Sequence, residues 1–154
     1  MVVKKINIQN KRAKFEYYLL DKYLAGIVLT GSEIKSIRSS KASISNSFCE
    51  FNNDNELFVI NMSIEEYDHG TNFNHKPKQS RKLLLNKNEL KKLFKEVNNS
   101  GLTIIPLKLF INENGYAKIQ ICLAKGKKLY DKREAIKERD NKRNIDKIKK
   151  TFNK

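Results

Sequence analysis

Tryptophan is absent from this 154-residue chain, and only two cysteines and two histidines occur. Each scarcity closes off a class of protein. Cys49 and Cys122 lack metal-ligand spacing, and without secretion a disulfide framework is not expected. Both sit in strand-like runs and read as small hydrophobes. His69 and His75 fit no tight helical pair and have no cysteine near them in sequence, so they read as loop histidines and no metal is expected. No apolar run approaches the ~20 residues that span a bilayer, and Met1 to Asn10 lacks the apolar stretch of a signal peptide. A cytoplasmic location without membrane contact is the expectation. No Ser–His–acid set, Gly-rich phosphate loop with Lys, or carboxylate pair in an apolar setting stands out. Neither enzymatic activity nor a cofactor is expected.

Positive charge is what the chain has in excess. Lys and Arg number 32 against 17 Asp and Glu, a formal +15. Such an imbalance disfavours self-compaction and attracts polyanions: nucleic acid, an acidic membrane surface or an acidic protein. The charge is unevenly spread. Residues 125–154 carry thirteen cations and five anions, a net +8. Over half the excess thus lies in the last fifth of the chain, which marks a boundary near Ala124 between a body, 1–124, and a tail, 125–154.

The body reads as short strands with few helices. Tyr17 to Leu20 and Ala25 to Leu29 are strand-like, with a break expected around Leu24-Ala25-Gly26. Thr30, followed three residues later by Glu33, is a capping box for a short helix from Ser32 to about Arg38. Ser47 to Phe51 and Leu57 to Met62 are strand candidates around the polar turn Asn52-Asn53-Asp54-Asn55. Tyr67 to Ser80 reads as a loop and Arg81 to Leu85 as a strand. Leu90, Leu93, Phe94 and Val97 share one face of a helix from Lys87. Asn86 and Glu89 are placed to start it, and Asn98-Asn99 and Gly101 to end it. Thr103 to Ala124 forms a hairpin about Asn114-Gly115, and Pro106 suggests an edge near its first arm.

These elements imply a mainly β fold: a small closed antiparallel β-barrel with two to three helices and a flexible basic C-terminal tail. An open sheet covered by helices gives the same pattern. In the tail, Lys137 to Asn144 contains no apolar residue, and Ile145, Ile148 and Phe152 make only a sparse helical stripe. Its i,i+4 ion pairs are worth roughly 0.2–0.5 kcal/mol each, too little to outweigh helix nucleation. The tail is expected to be disordered when free and helical once a polyanion neutralises it.

The run Lys125-Gly126-Lys127-Lys128-Leu129-Tyr130-Asp131-Lys132-Arg133-Glu134 resembles the C-terminal signature of the SsrA-binding protein family, SmpB. Asn10-Lys11-Arg12-Ala13 with Glu16-Tyr17, the stretch from Ala25 to Arg38, Arg81 to Leu85, and Gly101-Leu102-Thr103 with Pro106-Leu107 resemble further motifs of that family in the same order. The resemblance implies an oligonucleotide-binding (OB-like) barrel that holds the tRNA-like domain of transfer-messenger RNA. The tail would enter the small-subunit decoding region and the empty message channel, contacting ribosomal RNA. Elongation factor Tu (EF-Tu) would accompany the charged RNA. The implied process is trans-translation, in which stalled ribosomes are freed and incomplete peptides tagged.

Carried over residue by residue, the RNA-binding surface comprises Asn10, Lys11, Arg12, Tyr17, Glu33, Lys35, Arg38, Lys41, Lys82, Leu84, Lys125, Lys127 and Lys128. Tyr130, Asp131, Lys132 and Arg133 would face the decoding region. Plainer readings stand beside these. Glu33 completes a capping box whatever else it does. Tyr17, Tyr18 and Tyr23 suit core or rim packing as well as stacking on bases, and Lys11 and Arg12 suit a solvated surface. Glu33 and Leu84 are also read as supports that place neighbours. Two positions depart from the family: Leu24 stands where it has Glu before Ala-Gly, and Ser40 where it has Gly before Lys-Ala. The first forbids direct transfer of the contact tied to that Glu; the second bears on the loop after the helix. Two other function classes compete with the adaptor: a structural ribosome-associated protein and an RNA-modifying or RNA-cleaving enzyme.

Overall fold

The computed structural model describes residues 5–68 and 74–152, with the side chains of 99, 100, 129–131, 135 and 148–152 outside the description. The elements are β1 (Asn7–Gln9), α1 (Ala13–Glu16), β2 (Tyr17–Ile27), α2 (Gly31–Arg38), β3 (Ala42–Ser43), β4 (Phe48–Phe51), β5 (Leu57–Ile60), β6 (Ser63–Ile64), β7 (Arg81–Leu84), α3 (Lys87–Ser100), β8 (Thr103–Ile111), β9 (Ala117–Gly126) and α4 (Leu129–Phe152). The pairings are antiparallel. Seven strands lie in the order β1-β8-β4-β5-β7-β2-β9, β9 also pairs with β8, and β3 and β6 form a separate two-stranded ribbon. The fold is mainly β with several helices.

Alternation along the strands builds the core. Ile104, Leu109, Ile119, Ile121 and Leu123 from the long hairpin meet Leu57, Val59 and Leu83 from the facing strands, all buried. Fully burying a side chain of this size contributes roughly 1.5–3 kcal/mol. From α3, Leu93 is buried, while Leu90 and Val97 pack partly and Phe94 stays at the rim, edge-on to Phe51 at 5.3 Å. A second, small cluster of Ala13, Ile105 and Ala124 lies beneath α1. Covered on both faces there, β9 buries four consecutive residues from Ile121 to Ala124.

Several local expectations are corrected. The β8 arm does not keep one inward face: an irregularity between Pro106 and Lys108 shifts the pleat, so Ile104 and Leu109 enter the main core while Ile105 and Leu107 pack under α1. Pro106 pairs with Ile121 of β9 on one side, and the open edge near it on the other side is local. It sits between the β4 pairing at Ile104 and the β1 pairing at Lys108, where no ladder donor is required. β2 is one strand whose irregularity falls between Leu19 and Lys22. Gly26 lies in regular strand between Leu84 and Lys118, where a Cβ would stand at ordinary contact distance, 3.4 Å from Leu84 Cβ and 3.7 Å from Lys118 Nζ. The β8–β9 turn is wider than two residues. Asn112 Oδ1 accepts from Asn114 N and Tyr116 N, and only the Gly115 end takes positive φ, +84°.

The helix ends differ from one another. The capping box of α2 forms in full: Glu33 N donates to Thr30 Oγ1 at 3.4 Å and Thr30 N donates to Glu33 Oε1 at 2.9 Å. Asn86 makes no side-chain cap to α3; its Nδ2 donates to the Glu89 carboxylate at 3.0 Å. Gly101 closes α3 in the left-handed region, φ +61°. The tail is a single helix over Leu129–Phe152, starting three residues beyond β9. Among the described residues no helix is long and apolar enough to cross a membrane.

Candidate nucleic-acid interface

Sequence-distant cations meet at the α1 end of the β body. The register sets Tyr17 opposite Gly126 and Tyr18 opposite Lys125, and Lys127 N donates to Glu16 O at 2.9 Å. The Asn10-Lys11-Arg12 motif and the Lys125–Lys128 run therefore share one region, with Lys11, Arg12, Lys125 and Lys128 exposed. Lys127 Nζ sits 5.1 Å from the centre of the Tyr18 ring. Tyr17 packs against Ala13, Ile105 and Ala124, so its ring serves packing. Asn10 ties the motif down: its backbone N donates to Leu107 O at 2.8 Å and its Nδ2 to Pro106 O at 3.1 Å. Beside it a cleft of about 390 Å³ is lined by Lys11, Lys14, Lys22 and Lys108.

Helix α2 divides its residues by angle. Glu33, Ser36 and Ile37 are buried, while Lys35 and Arg38, three apart, project outward. The Glu33 side chain is 1% exposed and committed to Thr30 and to Arg81 Nε. Desolvation pushes its carboxyl up, but hydrogen bonds from Thr30 and Arg81 and the Arg81 charge outweigh this and hold it below the usual glutamate range. Lys35 Nζ lies 5.3 Å from the Tyr67 ring centre, and Arg38 reaches the β8–β9 turn, its Nη2 3.9 Å from where a Cβ on Gly115 would stand. After the helix Ser40 adopts φ +60°, a conformation that glycine takes without penalty. Lys41 follows, paired with Asp68.

A third group sits on the outer surface of β2 and β7. Leu84 is opposite Gly26, which is opposite Lys118. Leu24, Val28 and Leu84 are each at least half exposed, forming an apolar patch bordered by cations. Lys82 pairs with Glu56, which lowers the Glu56 pKa. Exposed pairs of this kind are worth ~0–1 kcal/mol and leave their lysines available to a stronger anion. In α4, Lys132 N donates to Lys128 O at 3.1 Å; Arg133 is exposed, and the side chains of Tyr130 and Asp131 lie outside the described ones.

Sequence reasoning missed the residues beneath α2. His75 is buried, with Nδ1 2.9 Å from Ser32 Oγ and Nε2 3.0 Å from Ile64 O. Arg81 is likewise buried. The available signal was its strand position: in Arg81 to Leu84 it alternates onto the same buried face as Leu83. His69 lies outside the described residues.

The family model described as "SmpB protein" matches residues 7–151. This chain belongs to the SmpB protein family. It is 67% identical over 147 residues to the SsrA-binding protein of Christiangramia forsetii, covering 96% of this chain and 93% of that one. It is 66% identical over 151 residues to the SsrA-binding protein of Flavobacterium psychrophilum, covering 98% and 100%. A solved structure described as "tmRNA-SmpB: a journey to the center of the bacterial ribosome" matches with a TM-score of 0.68 at 43% identity, covering 85% of this chain and 94% of its counterpart. The SmpB motifs therefore span the body and most of the tail.

Proposed function

We propose that this SmpB-family chain binds the tRNA-like domain of transfer-messenger RNA and delivers it to stalled ribosomes for trans-translation, without itself being an enzyme. One observation carries the proposal: over almost its full length the chain is about two-thirds identical to proteins named for binding SsrA RNA. The charge distribution supports it, with cations gathered at the α1 end, on α2 and around Leu84. Phosphate contacts would supply affinity, and apolar rim groups such as Leu84 would meet unstacked loop bases. Where the family Glu stands, Leu24 offers no acceptor and joins the apolar patch instead.

The β body acts as a closed OB-like barrel in this reading. Its support is the pairing circuit β8–β4–β5–β7–β2–β9, in which β9 pairs back with β8. The RNA surface takes in Asn10, Lys11, Arg12, Lys35, Arg38, Lys41, Lys82, Leu84, Lys125, Lys127 and Lys128, with Tyr17 and Glu33 acting as supports. The tail, from Tyr130, Asp131, Lys132 and Arg133 onward, reads the vacant decoding region and message channel, and gains its helix there. EF-Tu joins on the charged RNA, and the setting is the cytoplasm. RNA recovered with the purified chain from cells tests the proposal. One abundant tRNA-like RNA is expected; mainly ribosomal RNA would indicate a structural ribosome protein, and chemically altered RNA an enzyme.

A further inference from the structure

Helix α2 has little apolar surface with which to fix its orientation. It is eight residues long, and among its hydrophobic side chains only Ile37 is fully buried, with Ile34 partly so. Each residue turns the helix by about 100°, so a small rotation redirects every exposed side chain. What surrounds the buried side of its first turn is polar. Among the described residues five polar or charged ones are buried, and three of them, Glu33, His75 and Arg81, converge there.

The hydrogen bonds specify geometry. Arg81 donates from Nε to Glu33, from Nη1 to Met62 O at 2.8 Å, and from Nη2 to Lys76 O at 3.2 Å and Pro77 O at 3.1 Å. His75 Nε2 faces the Ile64 carbonyl, which only accepts, so that nitrogen carries the proton. In the neutral ring Nδ1 then accepts from the Ser32 hydroxyl, 2.9 Å away. Next to His75, Asn74 exchanges hydrogen bonds with the Tyr67 backbone, at 3.2 and 2.9 Å. The Tyr67 ring in turn carries the Lys35 ammonium. Residues 74–77 thus form a strap that reaches α2 twice, through Ser32 and through Lys35.

A buried ion pair of this kind is often no more stabilising than apolar packing of equal volume, so its value lies in direction rather than strength. We propose that His75 and Arg81 are positioning residues for RNA recognition: they set the rotation of α2 so that Lys35 and Arg38 meet phosphates together. The inference rests on the reading that these two cations contact the RNA. His75, acting through Ser32, is the part that is separable from folding. The Ser32 hydroxyl is only partly buried, and alanine there suits a helix.

The test uses the full chain and the tRNA-like domain of the RNA, with Kd measured across a salt series. Ser32→Ala and His75→Ala are expected to weaken binding and to flatten the salt slope by up to about one unit for each phosphate no longer neutralised. Ser32→Thr, which keeps the hydroxyl, restores both. In a Lys35→Ala/Arg38→Ala background, Ser32→Ala adds no further loss, because the cations it orients are gone. Simple destabilisation instead rescales the active fraction and leaves the slope unchanged. Wild-type slopes for Ser32→Ala and His75→Ala, beside a weakened Lys35→Ala/Arg38→Ala variant, overturn the positioning role. Wild-type binding by Lys35→Ala/Arg38→Ala removes the reading of α2 itself, and the positioning role with it.

Discussion

Helices α2 and α4 both present cations, yet they are held in opposite ways. The first is short, boxed at its start and tied from below by Glu33, Arg81 and His75. The second runs for 24 residues, and none of its described side chains is buried. A helix held by its own protein presents charges in fixed positions before any partner arrives. One without a core of its own draws its stability from whatever neutralises it. In the proposed function this contrast corresponds to recognition by the body and sensing by the tail.

The largest expected effect breaks the tail alone. Changing Asp131, Lys132 and Arg133 to Ala should abolish peptide tagging on stalled ribosomes while leaving RNA affinity intact in a gel-shift. Tagging at the normal rate would remove the tail from the mechanism. Next comes the network under α2. Arg81→Ala leaves the Glu33 carboxylate buried and unpaired, which should cost about 3–5 kcal/mol in urea unfolding. Ile145→Ala, its counterpart on α4, removes a side chain of a residue that is 52% exposed and should stay within about 0.5 kcal/mol.

Acid sharpens the same difference. Because the Glu33 pKa is lowered in the folded chain, its contribution is complete above the usual glutamate range and is lost as pH falls through the depressed value. Wild-type stability should drop across that window, and Glu33→Gln should show a shallower dependence there. Equal slopes would mean that Glu33 is not held as an ion pair. A smaller effect is expected from single cations of α2. Lys35→Ala or Arg38→Ala should weaken RNA binding and reduce the salt slope by about 0.9 each. Lys41→Ala and Lys82→Ala should do less, since Asp68 and Glu56 already compete for those ammonium groups.

Local signals in the sequence carried far. The Thr30–Glu33 box, the Leu93 face of α3, its Gly101 stop and the hairpin of β8 and β9 depend on neighbours a few residues apart. The pleat shift at Pro106 was hidden because strict alternation of Ile105, Leu107, Leu109 and Ile111 looks the same whether or not a residue is inserted between paired positions. Four-residue α1 is too short to show a period, and β3 and β6, of two residues each, are too short to alternate. At the interface the matched motifs named the cations. They did not show that Glu33 is sealed beneath α2, because its partner Arg81 stands 48 positions away, nor that His75 meets Ser32 across 43. Long-range polar pairs leave no periodic trace.

The central claim is that the packed body distinguishes a folded tRNA-like RNA by shape and placed charge, independently of the tail's decoding-region contacts. Competition binding measures this directly: the wild-type chain and the Asp131, Lys132 and Arg133 triple-alanine variant are each offered the tRNA-like domain against an unrelated hairpin of equal length at physiological salt. Both proteins should favour the tRNA-like domain by the same factor. Equal affinity for the two RNAs, or a preference that vanishes in the variant, would contradict the account.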